Sequence, residues 1–300
     1  MGVLISAVLP ITLVALVGVW VGRAFPLDIK TMTRLNIYAL LPALVLTGVY
    51  GSALEVGTTL RIVLGFLLNC AALYVIATAS AYPLGLAPAT RKSLIATTLL
   101  ANSGNIGLPF ILFSLGEAGL ERAIVYLISS AIFIASVGPI FLKDEGIRAG
   151  LRVTLNLPVF WATIGGIVLQ AFAWEVPIAL DRALELLSDA AIPIALLTLG
   201  VQLSRTSLRF GSYEIFAAAL RLLVSPLTAY LIGRAIGLSG LDLAVLVMQS
   251  AMPVAVNTLI WVTEFGGDSD HVAKTIVLST VMSFASLPTV LWLVTRALQL

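Results

Sequence analysis

"LLANSGNIGLPF", residues 99–110, is the stretch whose reading decides the fold. It lies inside an apolar run long enough to cross a membrane, yet it carries Asn102, Gly104, Asn105, Gly107 and Pro109. In hydrocarbon every backbone N–H and C=O needs an internal partner. Proline removes a donor and clashes with the preceding turn, and glycine weakens a helix by roughly 1 kcal/mol relative to alanine. The stretch therefore predicts a helix broken part-way across a bilayer. Such a break frees C=O groups at the end of one half-helix and N–H groups at the start of the other, and the positive N-terminal end can receive an anion. Asn102, Ser103 and Asn105 add neutral donors and acceptors there.

Outward from this stretch the chain is apolar nearly throughout. Of its 300 residues 60% are hydrophobic and only 11% charged, with a mean hydropathy of +1.08. About a quarter of an ordinary soluble chain is charged, so the composition implies a polytopic membrane protein. A net charge of +2 gives no ground for nucleic-acid binding. A single cysteine, Cys70, and a single histidine, His271, make a disulfide framework or a metal centre improbable, and no cofactor is expected. The opening "MGVLISAVLPITLVALVGVW" has no basic leader and too long an apolar run for a signal peptide, so it reads as the first span. A hydrocarbon core about 30 Å thick needs roughly 20 helical residues. Cutting at charges and turn residues yields ten segments, near 2–22, 31–52, 58–81, 92–115, 120–142, 156–173, 182–203, 212–235, 241–263 and 271–296. The joints between them, such as "YPLGLAPATRK" and "KDEGIRAGLRVTLN", read as short loops.

Lysines and arginines set the orientation. The odd-numbered loops carry Arg23, Lys30, Arg34, Arg91, Lys92, Lys143, Arg148, Arg152, Arg205, Arg209 and Lys274. The even loops and the C-terminal end carry only Arg61, Arg122, Arg182, Arg234 and Arg296. The odd loops are expected to face the cytoplasm, and ten spans then place both termini outside. The halves also match. Span two turns about Pro42 and span seven about Pro193; span four holds the opening motif and span nine holds "MQSAMPVAVNTLIWVTEFGG", with Pro253 and Asn257 at its centre, roughly 150 positions later. Two five-helix repeats, 1–150 and 151–300, follow, and an odd number of spans per repeat turns the second upside down. Inverted repeats with paired broken helices are a transporter signature. A kinked helix whose polar groups are met by its neighbours is the alternative for one break; two breaks at matched positions favour a binding site.

"NSGNIGLPF" followed by "GEAG", then "SDAAIPIALLTLGVQL", "RLLVSPL", "QSAMPVAVNTLIWVTEFGGD" and a late "SLP" together resemble the auxin efflux carrier family, the group of the plant PIN exporters and their bacterial relatives. The resemblance runs over nearly the whole chain. It implies an all-α fold of ten transmembrane helices in two inverted repeats, with broken helices four and nine crossing. It further implies a scaffold of helices 1, 2, 6 and 7 that dimerises, a transport unit of helices 3–5 and 8–10, and an elevator motion. The implied activity is efflux of small organic anions across a bacterial inner membrane. Residues 143–155 are all this chain has where many plant members carry a long hydrophilic loop, so a small carboxylate is a better expectation than auxin. Carried onto this sequence, the family's site falls on Asn102, Asn105 and Pro109 and on Pro253 and Asn257. Ser103 and Gly107 belong to the same motif. Gln249, one turn before Pro253, and Tyr126, Ser129 and Ser130 in span five are further candidates; for the serines helix packing is an equal reading.

Charges inside spans are costly and usually functional. Arg221 in span eight is read as a counter-charge for the substrate, as the partner of a carboxylate, or as a side chain reaching for the surface. Asp189, one turn before Pro193, either exchanges protons or caps a broken part of span seven. Glu214 reads as interfacial, and Gly18 with Gly22 as a packing pair. No phosphate loop and no H-E-x-x-H motif occurs, so neither an enzyme nor ATP-driven transport is expected. A channel suits a midplane pocket less well than alternating access does. The rival is a sodium-coupled bile-acid-type symporter of similar plan. The crossover segments lack Asp and Glu, yet backbone and amide oxygens also bind sodium, so coupling to H+ or Na+ stays open at this point.

Overall fold

Long apolar runs fold as helices in a bilayer because a helix satisfies its own backbone. The computed structural model describes residues 2–143, 147–204, 210–264 and 266–299, and its regular elements there are helical. In chain order they are α1 (Gly2–Ala24), α2 (Ile29–Leu35), α3 (Leu41–Tyr50), α4 (Val56–Ala81), α5 (Pro88–Leu99), α6 (Leu108–Lys143), α7 (Ile147–Leu155), α8 (Pro158–Ala171), α9 (Ile178–Leu203), α10 (Ser212–Ala219), α11 (Ser225–Ala235), α12 (Gly240–Ser250), α13 (Thr258–Glu264) and α14 (Ser269–Leu298). Six stretches, Ile29–Tyr50, Val56–Ala81, Ser103–Ser136, Ile178–Leu203, Ser212–Ala235 and Ser269–Leu298, are long and apolar enough to cross a membrane. Val8–Ala24, Pro158–Ala171 and Gly240–Ser250 are shorter apolar helices. The protein is an integral membrane protein.

Three π turns share one cause. Asn36–Leu40 joins α2 to α3, Ser103–Gly107 leads into α6, and Leu220–Val224 joins α10 to α11. Each stands just ahead of a proline: Pro42, Pro109 and Pro226. A proline ring clashes with the carbonyl one turn back. Widening that turn relieves the clash and lets the helix run on rather than end. Within α6 the reversal falls at Gly116, whose φ of 71° and ψ of −171° are non-helical; positive φ favours glycine there.

The helices pack in two groups. In one, α1 lies along α9, and α3 packs on α8 and α9. Gly18 and Gly22 serve that packing: Gly18 sits against Leu197 and Gly200, and Gly22 against Val201 and Ser204. In the other, α4, α5, α10, α11, α12 and α14 pack together, and α6 touches both groups. Phe66 of α4 meets Tyr126 of α6 edge-on, with ring centroids 5.0 Å apart.

Two expectations change and one gains detail. The segment after residue 146, read as loop, holds the helix Ile147–Leu155. Glu214, in the first turn of its apolar stretch, is buried within the protein: it accepts from the Gly211 N–H at 2.7 Å and lies 2.6 Å from His271 Nδ1, tying α10 to α14. Helix α9 runs unbroken past Pro193, so Asp189 has no broken end to cap. Arg205 and Arg209, used in reading the orientation, lie outside the described residues.

Candidate functional site

Helix α5 ends at Leu99, and Leu100 is extended, with φ −91° and ψ 96°. Helix α12 ends at Ser250, and the chain is non-helical until Thr258. The two interruptions meet and satisfy each other. Asn102 N–H donates to Pro253 O at 2.8 Å, and Ala255 N–H donates to Leu100 O at 2.9 Å, an antiparallel bridge of Ala101 with Val254. The Val254 N–H donates to Ser279 Oγ at 3.1 Å. Unwound backbone inside an apolar protein is tolerable only with such partners. The break in the opening stretch is therefore at Leu100–Asn102, ahead of the position that its glycines and proline suggest. Gly104, Gly107 and Pro109 lie on the helix beyond it.

Four half-helices radiate from this bridge, and their ends are sorted by charge. The C-terminal ends of α5 and α12 meet Arg221, a fully buried side chain on the π turn between α10 and α11. Its Nη1 donates to Thr98 O at 2.7 Å and to Leu99 O at 3.3 Å. Its Nη2 donates to Ser225 Oγ at 2.7 Å and to Ser250 O. A helix carries about half a negative charge at its C-terminus, so one cation opposite two such ends is close to balanced. Arg221 therefore neither pairs with a carboxylate nor reaches the surface, and it does not line the cavity described next. Beside it Asn69 donates to Ser250 Oγ at 3.2 Å, and Tyr126 Oη lies 3.3 Å from the same hydroxyl.

The other two ends open on a cavity of about 190 Å³. Its polar lining is Asn36, Asn102, Ser103, Asn105, Ser130 and Asn257; Leu41, Leu44, Ile192 and Trp261 are among its apolar walls. Asn102 is the cap of the helix that starts at Ser103, and its Oδ1 accepts from the Asn105 N–H at 3.3 Å. Asn36 Nδ2 donates to Asn105 Oδ1 at 3.4 Å. Ser103 and Ser130 hydroxyls are 3.3 Å apart. Asn102 Nδ2 and Asn36 Oδ1 are buried without a partner. Unmet buried groups cost about 1–3 kcal/mol each.

A profile described as "Membrane transport protein" matches residues 148–293. An uncharacterized transporter of Methanothermobacter thermautotrophicus is 30% identical over 270 residues, 88% of each chain. Auxin efflux carrier component 1 of Arabidopsis thaliana is 29% identical over 143 residues, 45% of this chain and 22% of that protein. The chain belongs to the auxin efflux carrier family. A Rhizobium meliloti protein whose name assigns it to malonate transport is 26% identical over 208 residues, 64% of each chain. As an auxin efflux carrier family member the protein is a membrane transporter and not an enzyme.

Of the residues that the sequence of this carrier singles out, the cavity gathers Asn102, Ser103, Asn105, Ser130 and Asn257. Pro253 stands behind them, its carbonyl spent on the bridge. Gly107, Pro109, Tyr126, Ser129 and Gln249 do not line it. Gly107 makes room for the Gln249 side-chain amide, which a Cβ would strike. Ser129 donates to Val125 O of its own helix at 2.8 Å, while Ser130, one position on, faces the cavity. Asp189 is exposed on a second cavity of about 480 Å³ with Glu117 and Glu121, whose walls share Leu44 and Ile192 with the first. Asn36 escaped the sequence reading; its signal was an amide in the otherwise apolar "NIYALLPALVL". Among the described residues no three His, Cys, Asp or Glu side chains are grouped to hold a metal.

Proposed function

We propose that this carrier is a secondary transporter of small organic anions, with the substrate held in the cavity beside the bridged breaks. In this reading ten spans form two inverted five-helix repeats, 1–150 and 151–300. The unit of spans 3–5 and 8–10 moves as an elevator against a dimerising scaffold of spans 1, 2, 6 and 7. The observation that carries the reading is the cavity itself: neutral amides and a helix start, at a bridge between two interrupted helices, between the two packed groups. Support for the repeats is the recurrence of a long helix, a short helix, an interruption, then a second short helix and a long one, first along α4–α6 and again along α10–α14. The name of the Rhizobium relative supports a small carboxylate as cargo. The sodium-coupled alternative is less well supported. Half-helix carbonyls are where such carriers hold a cation, and here those of Thr98, Leu99 and Ser250 are bonded to Arg221.

The test is uptake of radiolabelled mono- and dicarboxylates into proteoliposomes, with and without a sodium gradient. Saturable uptake that ignores sodium is expected. Asn105→Ala or Asn257→Ala removes about one hydrogen bond to the substrate, worth about 0.5–3 kcal/mol, so affinity should fall roughly 2- to 150-fold in a folded protein. Uptake unaltered in both variants would move the site elsewhere.

Orientation has its own check. We propose both termini outside the plasma membrane of a bacterial cell, from the lysine and arginine bias. A reporter active only outside the cytoplasm should work after Leu300 and be silent when inserted at Gly85, in the exposed turn after α4. The reverse pattern would invert the protein.

A further inference from the structure

We propose that the cavity accepts anions only in a singly charged form, so that a dicarboxylate is bound and carried with one carboxyl protonated. The inference rests on the organic-anion reading above and narrows its substrate class. Among the described residues that line the cavity none is charged; the polar ones are amides and hydroxyls. The positive potential there comes from the backbone. The helix that begins at Ser103 brings about half a unit of positive charge, and the seven-residue α13 adds less. Among the described residues the buried cation nearby is Arg221, which is opposed by the negative ends of α5 and α12 and does not line the cavity. Between about half and one unit of positive charge thus faces the ligand.

One carboxylate matches that. A second would be buried with no counter-charge, and a carboxylate in that position takes up a proton instead. Beyond Leu44 and Ile192 the second cavity presents Glu117, Glu121 and Asp189, which add repulsion and no attraction. The unpartnered atoms suit a monoprotonated acid as well. Asn102 and Asn36, residues 4% and 7% exposed, line the cavity, and the amide atoms Asn102 Nδ2 and Asn36 Oδ1 lack partners; a turn of either side chain would offer a donor to a carboxylate oxygen or an acceptor to a carboxylic O–H. The proton then rides on the substrate, and no side chain of the cavity has to titrate.

Binding of three probes to the purified carrier, followed by calorimetry between pH 6 and pH 8, tests this. The probes are malonate, propionate and monomethyl malonate, the last holding one charge at every pH used. Propionate and monomethyl malonate should bind with affinities that do not vary with pH. The apparent affinity for malonate should fall about tenfold per pH unit once its second carboxyl ionises. At pH 8 the half-ester should bind more than tenfold tighter than malonate. Malonate binding that is flat with pH and equals that of the half-ester would overturn the charge rule while leaving the anion reading intact. No binding of any probe at any pH would overturn the anion reading and this inference with it.

Discussion

Arg221→Ala should destabilise the carrier while Arg221→Lys recovers part of the loss. The guanidinium serves three carbonyls and one hydroxyl and is fully buried. Its removal strands Thr98 O and Leu99 O, whereas Ser250 O keeps the Ser225 hydroxyl at 2.8 Å. Each stranded buried acceptor costs about 1–3 kcal/mol. Against this stands relief from burying a cation, which is expensive when unpaired. Here the cation is opposed by two helix ends, so the relief is small and the loss of donors wins, leaving a net cost of roughly 2–4 kcal/mol. Lysine restores the charge but not the planar fork that reaches separate acceptors. At about 2–4 °C per kcal/mol for a large domain, the alanine variant should melt on the order of 5–15 °C lower in detergent. An alanine variant that melts with the parent would show that the half-helix ends need no cation.

Gly200→Ala is the second large effect. A methyl on Gly200 would overlap the carbonyl oxygen of Ala15, and the Cα of Gly18 would be 2.8 Å away. Both obstacles are backbone of α1, so no rotamer change relieves them, and α1 must move off α9. Overpacking of this kind costs about 1–3 kcal/mol and more where backbone has to shift. Gly57→Ala is the contrast: its new methyl meets nothing nearer than the Arg61 guanidinium at 3.8 Å, and alanine favours a helix over glycine by up to about 1 kcal/mol, less in the first turn where Gly57 stands. Melting curves of the two variants should therefore move in opposite directions. Equal stability of the Gly200 variant and the parent would mean that α1 and α9 do not touch as described.

Much of the fold was legible because the bilayer simplifies the chemistry. An apolar run of about 20 residues has no stable option other than a helix, so the ranges read around Val56–Ala81, Ile178–Leu203 and Ser269–Leu298 were available without any structure. So was an interruption near residues 99–110, since two amides and a proline in hydrocarbon demand partners. The sequence by itself determined that this is a helical membrane protein, that its helices are interrupted near residues 99–110 and 249–257, and that Asn102, Ser103, Asn105 and Asn257 supply polar groups where the interruptions lie.

Only the tertiary structure decided where the backbone opens and what each polar group meets. The break falls at Leu100–Asn102 because those residues pair with Pro253 and Ala255, and a partner some 150 positions away leaves no mark on local propensity. Pro109 does not break its helix, because the Ser103–Gly107 π turn ahead of it absorbs the clash. One position along a helix turns a side chain by about 100°, which separates Ser130 in the cavity from Ser129 on its own carbonyl. Arg221 is read from sequence as a charge in search of an anion, yet in space it meets the negative ends of two helices. Asn36 reaches Asn105 across 69 positions of chain. Helix formation follows from composition over a few turns, whereas the direction of a side chain within a bundle depends on packing angles that no short stretch of sequence contains.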